Sequence, residues 1–135
     1  MNNITWKYVK QIDNSNLVVE VMKVNNVVLP ESYKSIVIEN NGGRPSLNIF
    51  NSERKKERVF LKLLSYNKAD KDTIYVALDV LNKKNNALYP FALDPFGNYI
   101  CFNKRDMTIV FFDHETDQFE FIAKDFQSFM DMLFN

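Results

Sequence analysis

Residues 88–123 read LYPFALDPFGNYICFNKRDMTIVFFDHETDQFEFIA, and the fold turns on this stretch. It holds four apolar runs of strand length: Leu88 to Leu93, Tyr99 to Phe102, Ile109 to Phe112 and Phe119 to Ala123. Their aromatic and β-branched residues suit a pleated, half-buried surface. The links between them carry turn chemistry: Asp94-Pro95-Phe96-Gly97-Asn98, Asn103-Lys104-Arg105-Asp106 and His114-Glu115-Thr116-Asp117. Connections this short join neighbouring antiparallel strands, so the spacing predicts a meander.

Working outward, Asp125 stands as an N-cap before Phe126, Phe129, Met130 and Leu133, which share one helical face. On the other side, Ile74, Ala77, Leu78 and Leu81 have helical spacing that Asn82 to Asn86 breaks. Further back, Ser46 to Phe50 and Val59 to Leu64 read as two strands of a hairpin with a charged tip, Glu53 to Arg58. Leu29-Pro30-Glu31-Ser32 opens a helix over about residues 30–40, with Tyr33, Ile36 and Val37 on one face, and Asn41-Gly42-Gly43 closes it. Residues 14–24 fit either state, because Leu17, Val21 and Val24 have helical spacing while the valines are β-branched. Strands segregated between helices describe an α+β domain, an antiparallel sheet covered by helices and closed by a C-terminal helix. No linker or repeat divides residues 1–135.

The chain has 135 residues, 46% of them hydrophobic and 14% aromatic, with 3 Gly and 4 Pro. That composition excludes disorder and is enough for a core without disulfides or a structural metal. Seventeen bases balance 17 acids, which disfavours direct binding of nucleic acid. The balance conceals an asymmetry. From Asp106 onward there are seven carboxylates and one base, Lys124, a net of −6, against 16 bases and 10 acids before it. The single cysteine, Cys101, allows no internal disulfide and no thiolate zinc cage, so a reducing cytoplasmic setting is expected. The first residues lack a basic and apolar leader, and no apolar run is long enough to cross a bilayer.

Candidate catalytic constellations are few, with Asp94, His114 and Glu115 the one enzymatic alternative, and none assembles an active site. His114, the one histidine, has carboxylate neighbours but no second His at ligand spacing, and reads as a turn residue. Cys101 lies in an apolar strand with no base beside it. Asp94-Pro95-Phe96-Gly97 lacks the remaining parts of a kinase site, and Gly42-Gly43 follows a helix where a phosphate cradle precedes one. Arg54-Lys55-Lys56 is interrupted by Glu53 and Glu57, as expected of a solvated tip. No cofactor or metal site is expected.

The order of landmarks carries a resemblance. Trp6, Leu29-Pro30-Glu31-Ser32-Tyr33 running into Asn41-Gly42-Gly43, Tyr89-Pro90-Phe91-Ala92-Leu93-Asp94, Phe96-Gly97-Asn98, Asp113-His114-Glu115 and the terminal Phe126, Phe129 and Leu133 resemble the SUKH superfamily of fungal cell-wall regulators and bacterial toxin-immunity proteins. The resemblance implies a twisted antiparallel sheet flanked by helices, and a helix around Leu17 to Val24. It implies no catalytic apparatus. It also implies an immunity protein that binds and neutralises a cognate polymorphic toxin domain, such as a nuclease or deaminase; a non-toxin interaction module in a regulatory complex is the alternative. Among the shared residues, Trp6, Phe91, Phe102 and Phe129 read as core. Asn41, Asp94, Asn98 and Glu115 stand at element ends, as partner contacts or as turn-satisfying groups. Glu115, Asp117 and Glu120 belong to the acidic end, which would steer a basic toxin toward it.

Overall fold

The structure is a computed structural model that describes residues 3–135. The chain begins with β1 (Trp6–Lys7), α1 (Asn16–Val24), α2 (Glu31–Asn40), β2 (Arg44–Pro45), β3 (Ile49–Phe50), β4 (Arg58–Val59) and β5 (Lys62–Leu63). It continues with α3 (Ile74–Lys84), β6 (Leu88–Leu93), β7 (Tyr99–Asn103), β8 (Ile109–Asp113), β9 (Gln118–Ala123) and α4 (Phe126–Met132).

The predicted meander is the main sheet, antiparallel throughout in the order β5-β6-β7-β8-β9. Tyr89 pairs with Phe102, Cys101 with Val110 and Phe112 with Phe119. The register shifts between Pro90 and Ala92, an irregularity of the kind that admits a proline to a sheet, since no ladder N–H is then required of it. A second shift lies opposite Ile109 and Val110.

The expected hairpin is present but shorter. β3 pairs with β4, Ile49 opposite Val59. The expected second strand does not run on to Leu64 in one piece, because the Phe60 side chain turns inward and is fully buried. Phe60 N–H still donates to Asn48 at 2.8 Å, while Leu61 N–H already donates to Leu93 of the main sheet at 2.8 Å. One run of sequence is thus shared between two sheets. The pairing of β1 with β2 was not anticipated; two-residue strands carry no periodic signal.

The valine-rich segment is a helix, as the resemblance implied. Val18, Val21 and Met22 point inward, and this burial outweighs the strand preference of the valines. In α2 the boundaries agree with the reading, and Gly42 supplies the left-handed residue at φ +69°. Thr73 and Asp125 cap α3 and α4 through their side chains.

Between the sheet and α2 and α4 lies an aromatic core. Phe91 sits 5.0 Å from Phe102, 5.5 Å from Phe126 and 6.0 Å from Phe129, centroid to centroid, in tilted or edge-to-face geometry. Trp6 is half-buried and meets Phe60 edge-on. The opposite face of the sheet carries a smaller cluster of Leu88, Cys101, Val110 and Phe112, closed by Leu81 of α3.

Candidate interaction surfaces

The six polar residues singled out from sequence do not form one patch. Asn41 is fully buried. Its amide donates to Lys10 O (2.8 Å) and Ser65 Oγ (2.9 Å), and its Oδ1 accepts from Tyr66 N–H (2.8 Å). It ties the end of α2 to the N-terminal segment and to the chain after β5, and it offers nothing to a partner. The expectation of a contact residue is corrected for Asn41: three neighbours distant in sequence consume its side chain.

Glu120 requires the same correction. Strand alternation turns Phe119 and Phe121 to one face of β9 and Glu120 to the other. Glu120 faces the main core under the β3–β4 hairpin, where Arg58 donates to it from Nη2 at 2.7 Å and from Nε at 3.0 Å. Ser52 Oγ adds a bond of 2.7 Å, and the Arg58 guanidinium stacks 3.8 Å above Phe111. An acid on an edge strand reads as exposed only while its cation, far away in sequence, is unknown.

Asp94 and Asn98 bring two turns together at one end of the sheet. Asp94 is buried; its Oδ1 accepts from the N–H groups of Phe96 and Asn98, each at 2.8 Å, and its Oδ2 accepts from the Asn98 amide at 2.9 Å. Asn98 Oδ1 in turn accepts from His114 N–H at 3.0 Å, across the β8–β9 turn. The His114 ring completes the joint, its Nε2 2.9 Å from Phe96 O and packed on Gly97, whose φ of +85° requires glycine. His114 therefore bridges two turns. Cys101 is buried, and desolvation pushes its thiol well above the ordinary value, away from the thiolate a nucleophile needs. Among the described residues no group of three or more His, Cys, Asp or Glu is placed to hold a metal ion, and no helix is long and apolar enough to cross a membrane.

Glu115 and Asp117 are exposed on the β8–β9 turn. Asp117 accepts from Lys84 of α3 at 2.7 Å, while the Glu115 carboxylate has no partner among the described residues. Beside this turn, sequence reasoning missed an apolar surface. Phe119 is 41% exposed and Phe121 59% on that face; Phe96, 69% exposed on the β6–β7 turn, instead lies under Lys55 of the β3–β4 hairpin. β9 pairs only with β8, and no described backbone group outside that ladder bonds to it. The other edge is guarded: β5 has two residues, and its Leu63 N–H is taken by Gly43 O at 2.9 Å. The missed signal was the alternation Phe119-Glu120-Phe121, which places two aromatics on whichever face the acid leaves.

A five-stranded meander backed by helices, with its turns closed by Asp and Asn side chains and one open apolar edge, defines an α+β domain. The SUKH_6 family model, described as SMI1-KNR4 cell-wall, matches residues 16–130, and the chain belongs to this SUKH family. No curated protein matches the chain.

Proposed function

We propose that the protein is an immunity protein, which binds a cognate toxin domain stoichiometrically in the bacterial cytoplasm and blocks its active site without turnover or cofactor. The observation that carries this reading is the open β9 edge, with Phe119 and Phe121 on its outer face and the acidic turn of Glu115 and Asp117 at its end. Exposed aromatics at an unpaired strand are the common material of interface anchors, and unguarded edges attract partner strands. The carboxylates favour a partner rich in Lys and Arg, as a nuclease domain is. Asp94 and Asn98 support that end by holding its two turns in register.

The test is co-expression with the toxin domain encoded beside the gene. The wild type should rescue growth and co-purify as a stoichiometric complex. Phe121→Asp should abolish both, and Glu115→Lys should slow association and weaken its dependence on salt. Rescue unchanged by Phe121→Asp would move the interface elsewhere. A gene neighbourhood without any toxin, together with a stable complex with a regulatory protein, would favour the non-toxin interaction module.

A further inference from the structure

A groove with a surplus of positive charge lies on the guarded side of the sheet, away from β9. The groove encloses about 380 Å³, and Lys10, Arg44, Lys62 and Lys71 line it. That volume falls within the range of small-molecule sites, about 300–1,000 Å³. Gly42, Leu63 and Ser65 are its buried lining. A Cβ on Gly42 would stand 3.3 Å from Lys10 Cγ and 3.7 Å from Ser65 Cβ, so glycine here both meets the left-handed backbone and keeps the groove open.

Two carboxylates also line the groove, of which only Asp72 is in an ion pair. Asp72 is paired with Lys62, and Asp70 accepts from Ser65 Oγ at 2.5 Å. Lys10, Arg44 and Lys71 have no carboxylate in ion-pair range among the described residues. Four cations against two carboxylates leave the concavity a net positive charge, which favours an anion there. At the rim, Arg44 lies 5.4 Å from the ring centroid of Tyr8. Tyr8 is 71% exposed there.

We propose that this groove binds a small anion carrying linked phosphates, free or attached to a nucleoside. Lys10, Arg44 and Lys71 contact the phosphate oxygens, and Tyr8 offers a ring face to a base. The assignment is independent of toxin binding, since it uses no residue of the β9 edge.

Calorimetric titration of the purified protein with inorganic triphosphate and with ATP, both at near-physiological ionic strength, tests it. Saturable one-to-one binding of both probes is expected. The Lys10→Ala, Lys71→Ala double variant and Arg44→Ala should each weaken it about tenfold or more, as expected for lost charge-assisted contacts. ATP should bind more tightly than triphosphate, and Tyr8→Ala should remove that difference. These side chains are at the surface, and an unchanged circular dichroism spectrum establishes that the variants fold. No saturable binding of either probe, or affinity indifferent to the cation variants, would overturn the proposal. ATP binding without triphosphate binding would place recognition on the base and overturn the phosphate assignment.

Discussion

Arg58 and Glu120, on different sheets, form a largely buried ion pair: the guanidinium grips one carboxylate oxygen from two nitrogens, at 2.7 and 3.0 Å. The side chains are only 15% and 7% exposed, so each charge depends on the other for compensation. The pair fastens the β3–β4 hairpin over the end of the main sheet and decides which face of β9 is turned outward.

Arg58→Ala and Glu120→Ala should each destabilise the fold by about 3 kcal/mol, since either leaves an uncompensated charge. Replacing both, Arg58→Met with Glu120→Leu, should recover most of the loss. Denaturant midpoints at constant slope measure this, and additive losses would mean that the two residues are not coupled.

Asn41→Ala should cost about 3 kcal/mol, because it strands the buried Tyr66 N–H together with two groups that its amide satisfied. Asn41→Asp should fare no better, since it keeps the acceptor for Tyr66 but loses both donors and buries a charge. Thermal unfolding provides the comparison. A neutral Asn41→Ala would mean that these three hydrogen bonds contribute nothing net to the fold.

Three tyrosines meet in the core, with Tyr66 Oη 2.6 Å from Tyr33 Oη and 2.7 Å from Tyr89 Oη. Burial holds all three phenols neutral, raising their pKa values above the ordinary 10.0; the neighbouring phenols raise that of Tyr66 further, while the bond to Tyr66 offsets part of the rise at Tyr33 and Tyr89. A raised folded-state value gives stability that is complete below pH 10.0 and is lost as the pH rises toward the folded-state values. Stability should therefore fall steeply above about pH 10, with the tyrosinate absorbance of these three residues appearing only on unfolding. Tyr66→Phe should cost about 2 kcal/mol and each end variant about 1, because only the central change deprives two hydroxyls of partners.

Gly97→Ala should destabilise by about 1–2 kcal/mol, since the backbone there is left-handed. His114→Ala should cost about 1 kcal/mol, as the Phe96 O bond goes while the backbone bond to Asn98 stays. It should leave partner binding and growth rescue intact. Lost rescue with unchanged stability would instead give His114 a functional role.

The meander, α2, α3 and α4 were legible because each announces itself locally, by period-two or helical spacing and by residues such as Asp94, Thr73 and Asp125 that satisfy nearby backbone groups. The four residues of the α3 stripe, Ile74, Ala77, Leu78 and Leu81, are all buried as their spacing required. The break between β4 and β5 was not legible. It exists because Phe60 is drawn inward, stacked on Phe129 and edge-on to Phe91, which reach it from far along the chain.

For the candidate surface the division is sharper. Sequence alone determined an α+β domain with turns at Asp94 to Asn98 and at His114 to Asp117, since turn chemistry acts over a few residues. It could not rank Asn41, Glu115 and Glu120, three polar residues at element ends or on an edge strand. Tertiary structure decided that Asn41 and Glu120 are spent inside, on Tyr66 and Arg58, while Glu115, Phe119 and Phe121 face outward. The reason is that a polar side chain is buried wherever the fold supplies its hydrogen-bond and charge partners, and those partners lie 25 and 62 residues away.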